Sequence, residues 1–157
     1  MPIVELSSLK SHLGPKQRLL GLDLGSKTIG LAVSDPSLII ASPLETIRRT
    51  KFTADARCLT DLHKQQQIGG WVLGLPLEMD GQEGPRCQST RQFAQNFMAI
   101  SNIPIAYWDE RLSSSAVNRF LVSEADMTRK RRGQVVDKMA AAYILQGALD
   151  AIGLPGR

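Results

Sequence analysis

The period of the hydrophobic pattern changes once along this 157-residue chain, and that change restricts the fold more than any other feature. Three short apolar runs come first: about 18–24, Ile29 to Ser34, and Leu38 to Ala41. Gly25-Ser26-Lys27-Thr28 and Asp35-Pro36-Ser37 separate them. Such residues make tight turns, so the runs predict a three-stranded antiparallel meander. From residue 52 the period lengthens. Phe52, Ala56, Leu59 and Leu62 recur at spacings of three and four, which predicts an amphipathic helix over about 53–67, stopped by Gly69-Gly70. Trp71 to Leu75 reads as a buried strand, Pro76 to Pro85 as a loop, and about 86–99 as a helix with Phe93, Phe97 and Met98 inward. Ile103 to Trp108 is a fifth strand. A helix over about 113–122, an irregular basic stretch from Ser123 to Gly133 and a last helix over about 134–151 complete the pattern. A meander followed by alternating helices and strands implies an α/β fold, a mixed five-stranded sheet with helices on both faces. Residues 1–17 are expected as a loosely attached leader, 18–152 as one domain and 153–157 as a tail.

Size and composition close off several classes. A chain of 157 residues suits one domain with a full core. No apolar run approaches the roughly 20 residues of a membrane helix. The N-terminus lacks the basic start and apolar stretch of a secretory signal, so a cytoplasmic protein with no membrane partner is expected. Cys58 and Cys87 stand alone with no CxxC pairing and read as reduced, buried thiols. The net charge of +4 is localised. Residues 111–138 hold seven basic side chains (Arg111, Arg119, Arg129, Lys130, Arg131, Arg132, Lys138) against three acidic ones (Glu124, Asp126, Asp137), which is the whole excess. Such a stretch suits a polyanion, because phosphates attract Lys and Arg through steering and counterion release.

Four carboxylates lie inside or at the tip of apolar runs: Asp23 in Leu19 to Gly25, Asp109 and Glu110 after Ile103 to Trp108, and Asp137 after Val135-Val136. A buried, unpaired carboxylate is costly, so such groups are neutralised, paired or bound to a metal. Asp23 and Glu110 end strands expected to be parallel, which places them at the rim where ligands bind in open α/β sheets. Asp137 opens a helix, whose positive end favours a carboxylate. Adjacent strand residues face opposite ways, so only one of Asp109 and Glu110 is expected to face the site. Glu110, with its longer reach from the strand tip, is preferred, while Asp109 is suited to bracing Arg111 or capping the next helix. Asp35 is assigned to a turn with Pro36. Carboxylates with water and phosphate form the usual shell of Mg²⁺ or Mn²⁺. His12, in the leader, and His63, on the exposed face of its helix, read as incidental.

Four stretches in series resemble the YqgF/RuvX family, Holliday-junction resolvase-like proteins also described as pre-16S rRNA nucleases. They are Gly21-Leu22-Asp23-Leu24-Gly25-Ser26-Lys27-Thr28-Ile29-Gly30-Leu31-Ala32, Val72-Leu73-Gly74-Leu75-Pro76-Leu77-Glu78-Met79-Asp80-Gly81, Trp108-Asp109-Glu110-Arg111-Leu112-Ser113-Ser114 and Val136-Asp137-Lys138-Met139-Ala140-Ala141. The resemblance implies a ribonuclease H-like fold, a divalent-metal site and a cytoplasmic role in maturing the 5′ end of the small-subunit rRNA precursor. It maps the acidic site onto Asp23, Glu110 (with Asp109 beside it) and Asp137. Many resolvases of this fold carry a fourth acid about one turn from the last. Ala140 and Ala141 occupy that region here, so the alternative to a full two-metal site is one tightly held ion, with a second recruited by substrate.

The expected function is a metal-dependent nuclease on precursor rRNA, with branched DNA as the other substrate. Lys27 and Arg111 flank the acids and suit substrate phosphates. Arg129, Lys130, Arg131, Arg132 and Lys138 suit the nucleic-acid backbone, a contact blind to sequence. A monomer suits RNA trimming and a homodimer a symmetrical junction. Two other classes compete. A non-cutting nucleic-acid-binding protein predicts salt-sensitive binding that survives loss of the acids. An actin-like ATPase is suggested by Asp23 to Gly30, but those proteins need a second phosphate loop and an adenosine motif, and this chain shows neither.

Overall fold

A computed structural model describes residues 3–112 and 129–153, with side chains described for 3–111 and 139–153. β1 (Arg18–Leu24) and β2 (Thr28–Ser34) pair antiparallel, and the Gly25 N–H donates to the Thr28 carbonyl across their turn at 2.8 Å. β3 (Ala41–Arg48) completes the meander against β2. Helix α2 (Phe52–Gln66) leads to β4 (Ile68–Leu75), and α3 (Pro85–Met98) leads to β5 (Ile105–Asp109). β4 runs parallel to β1, and β5 parallel to β4, in the order β3-β2-β1-β4-β5. This is the mixed five-stranded sheet read from the sequence. The chain ends in α4 (Arg129–Gly153).

Strand alternation sorts the side chains into two cores. Leu20, Leu22, Ile29, Leu31 and Leu73 pack with Ala56, Leu59 and Leu62 of α2 and Phe93 and Phe97 of α3. On the other face Leu19, Ala32, Val72 and Ala106 meet Ala141, Ile144, Leu145 and Ala148 of α4. Gly21 sets how closely α4 approaches. A Cβ there would lie 2.7 Å from the Leu145 Cβ and 3.0 Å from the Ala141 carbonyl oxygen.

Four expectations need correction. The third strand is Ala41–Arg48, not Leu38 to Ala41. Asp35 Oδ1 accepts the N–H groups of Ile39 (2.8 Å) and Ile40 (2.9 Å), and Leu38 adopts φ +60°, so the turn extends through residues that look like strand. Pro43 is accommodated because β3 is the outermost strand. Second, α2 ends before the glycine pair: Gln67, at φ +56°, donates its N–H to the His63 carbonyl, and Gly69-Gly70 already belong to β4. Third, the N-terminal segment is not loosely attached over its described residues. Ile3 bridges Ile105, the Val4 N–H donates to the Ile105 carbonyl at 2.9 Å, and Leu9 of helix α1 (Leu6–Leu9) is fully buried. Gly69 and Gly70 make room for it, since Cβ atoms there would press on Gln17 and Leu13, and on Leu9. Fourth, α4 begins at Arg129, so part of the stretch read as irregular is helix. The helix expected over 113–122 and the stretch 123–128 lie outside the described residues.

Candidate active site at the rim of the parallel strands

Asp23 and Glu110 meet where β1, β4 and β5 end. On β1, Asp23 shares the face of Leu19 and Gly21, the face that α4 covers. Leu22 pairs with Leu73, so Gly74 follows at the level of Asp23, and Gly74 in turn pairs with Trp108 of β5. Glu110 begins a 3₁₀ turn (Glu110–Leu112) two residues beyond Trp108 and lies over Gly74. A Cβ on Gly74 would sit 2.8 Å from Glu110 Oε1 and 2.6 Å from Ile144 Cδ1. The missing side chain at Gly74 is therefore the space the Glu110 carboxyl uses.

The two carboxyls are hydrogen-bonded, which requires a proton between them. Burial is the chief cause that pushes the Glu110 carboxyl up, to about 9, and the hydrogen bond and charge of Asp23 add to it. Arg86 opposes the shift and Asp109 reinforces it. A proton thus occupies, at neutral pH, the place between two acidic oxygens that suits a cation.

Asp109 turns away from this pair. Its carboxylate accepts the Arg111 N–H (3.0 Å), Nε (3.0 Å) and Nη2 (2.6 Å), and Arg111 holds it below the usual carboxylate range. Arg111 also donates through Nη1 to the Met79 carbonyl at 3.3 Å, tying the loop after β4 to the rim. The structure therefore brings Glu110, rather than Asp109, to Asp23. Asp35 is a turn residue held by the N–H groups of Ile39 and Ile40.

Asp137, Arg129, Lys130, Arg131, Arg132 and Lys138 belong to α4, and their side chains lie outside the described set. The helix itself has a direction. Gln146 Oε1 accepts the Ala41 N–H at 2.8 Å, whereas Met139 lines a cavity with Pro43. Moving toward its start, α4 therefore travels along β3 toward the level where β1 ends. Asp137 is one helical turn before Ala141, which touches Gly21. Among the described residues, no three His, Cys, Asp or Glu groups are placed together to hold a metal.

Lys27 is exposed on the β1–β2 turn and lines a cavity of about 430 Å³ with Arg49 and Arg86. Neither arginine stood out in the sequence. Arg49 follows directly on β3, a strand whose position was misread. Arg86 follows Pro85 in the first turn of α3, where a cation opposes the helix dipole, and that mismatch was the available signal. His63 also corrects the sequence reading. It is half-buried and accepts the Trp71 Nε1–H at 2.8 Å, and burial lowers its pKa to about 4. It is a neutral core group in the α2–β4 packing.

The sequence profile described as RuvX, Holliday junction resolvase, matches residues 17–151. The chain belongs to the RuvX family. A relative from Paramagnetospirillum magneticum, named "putative pre-16S rRNA nuclease", is 65% identical over 150 residues, covering 96% of each chain. One of the same name from Rhodospirillum rubrum is 59% identical over 152 residues, covering 97% of this chain and 94% of the relative. Among solved structures, Thermus thermophilus RuvC in complex with Holliday junction substrate superposes with a TM-score of 0.51 at 12% identity, over 87% of this chain and 96% of that one. The fowlpox virus resolvase with Holliday junction DNA gives 0.52 at 9% identity, over 88% of this chain and all of the other. At these identities the likeness is one of fold, and the RuvX chain has the ribonuclease H-like architecture.

Proposed function

We propose that this RuvX-family chain is a divalent-metal-dependent nuclease that hydrolyses phosphodiester bonds in precursor 16S rRNA, in the cytoplasm. The observation that carries the reading is the Asp23–Glu110 pair, two half-buried carboxyls hydrogen-bonded to each other at the strand rim. The names of the close relatives supply the substrate. The pair fits Mg²⁺ or Mn²⁺ by chemistry, since hard oxygen donors facing one another favour a cation once the proton leaves. Asp23 and Glu110 would hold the ion, with Asp137 as the third acid from the start of α4. When bound, such an ion supplies an activated water and stabilises charge on the leaving oxygen. The chain's own groups do the rest. Gly74 keeps Glu110 pressed between β4 and α4, Asp109 fixes Arg111 at the rim, and Lys27 and Arg111 offer cations to the substrate phosphates.

Labelled pre-16S RNA and a four-way DNA junction, each incubated with Mn²⁺ and with EDTA, test the proposal. Wild type is expected to cut the RNA only with metal, and Asp23→Asn to lose at least ~100-fold of that rate while keeping its circular dichroism spectrum. Cleavage of the junction alone would transfer the reading to branched DNA. Undiminished cutting by a contaminant-free Asp23→Asn preparation would remove Asp23 from the chemistry.

A further inference from the structure

The cavity beside the β1–β2 turn is not part of the acidic site. Asp23 and Glu110 lie on the α4 face of the sheet, while this cavity is lined by Leu24, whose side chain joins the opposite core, and by the first turns of α3. Three cations reach it: Lys27 from the turn, Arg49 just past β3 and Arg86 from α3. Ser26 and Ser89 add hydroxyls, and the volume of about 430 Å³ is that of a small-ligand site.

The cavity is built as well as basic. Arg49 Nη1 donates to the Gly25 carbonyl at 2.6 Å and the Arg49 N–H to the Lys27 carbonyl at 2.8 Å, so one residue clamps both sides of the turn. Its guanidinium lies 5.5 Å from the Phe93 ring centroid, a stacking contact that further limits its motion. Among the described residues no carboxylate forms an ion pair with Lys27, Arg49 or Arg86, although the two ion pairs described elsewhere do engage Arg91 and Arg111. Three cations grouped without an ion-pair partner repel one another, and an anion relieves that cost. The N-terminus of α3 adds its own positive potential from the same side.

We propose that Lys27, Arg49 and Arg86 form a phosphate-binding pocket that takes a nucleic-acid phosphate flanking the bond to be cut. It lies across the sheet from the basic start of α4. A strand laid over the rim at Asp23 and Glu110 would bring a flanking phosphate to the pocket. Arg86 couples the two regions, because its charge is felt at Glu110. The pocket rests on the nucleic-acid part of the proposed function and does not require catalysis.

Binding measured in EDTA therefore separates the two ideas. Fluorescence anisotropy of a single-stranded RNA, with and without a 5′-phosphate, is followed from low to moderate salt for wild type and the Lys27→Gln/Arg86→Gln double variant. The variant is expected to bind about tenfold more weakly at low salt, and its slope of log K against log [salt] to fall by ~1.4, ~0.7 for each cation removed. A penalty confined to the 5′-phosphorylated RNA identifies a terminal phosphate, and an equal penalty an internal one. Lys10→Gln/Lys64→Gln removes the same charge from exposed positions elsewhere and is expected to leave the slope near wild type. Arg86→Lys, which keeps the charge, should leave the slope at its wild-type value. An unchanged slope in the double variant, an equal loss in the Lys10/Lys64 control, or no RNA binding by wild type overturns the pocket. Binding with the expected slopes but no cleavage in metal leaves the pocket standing and removes the nuclease reading.

Discussion

At pH 7 the Glu110 carboxyl, buried over Gly74 and bonded to Asp23, keeps its proton. Its folded-state pKa is raised, so the stability it lends is fully present below its ordinary 4.5 and is lost as pH rises toward about 9. Metal-free wild type should therefore melt at falling temperature across that window. Glu110→Gln keeps a donor for Asp23 and carries no charge. It should flatten the profile and be more stable than wild type at pH 8 by on the order of 2–4 kcal/mol, as thermal melts across pH would show. A parallel decline in both proteins would mean that Glu110 is not the group responsible. Its place was legible at the residue scale because strand parity separates neighbours: Trp108 and Glu110 fall on one face and Asp109 on the other. His63 was misread because its partner, Trp71, comes from another element, and a contact across elements leaves no local periodicity.

At the scale of elements, glycines in β1 and β4 decide how the sheet receives what lies on it. Gly74→Ala would push a methyl into Glu110 and Ile144 at once. We expect a loss of about 1–3 kcal/mol of stability from overpacking, measured by urea unfolding, and a cleavage loss exceeding what the lower folded fraction explains. Full activity per folded molecule would show that Glu110 tolerates displacement. Runs of strong period were legible: α2, α3, β1, β2 and β5 fall within a few residues of their expected places. The third strand was not. Asp35 satisfies the backbone of Ile39 and Ile40 with its side chain, so two β-branched residues are drawn into a turn and left 64% and 58% exposed. The glycine pair after α2 misled for another reason, since its task is to admit the N-terminal segment rather than to stop a helix.

At the scale of the whole molecule, that N-terminal segment completes the α4-side core. Leu9→Ala should cost about 2–5 kcal/mol, read as a lower urea midpoint with unchanged slope. A change under ~0.5 kcal/mol would restore the view of residues 1–17 as an independent leader. The same segment has a consequence for how copies of this chain behave at high concentration. Ile3 and Val4 occupy the start of the β5 border by parallel pairing, and on the other border Pro43 brings no N–H while Glu45 and Arg48 stand exposed. Among the described residues, neither flank of the sheet offers a long, unbroken row of free donors and acceptors. The fold thus resists templating strands from its neighbours, and on the β5 border that resistance depends on Ile3 and Val4.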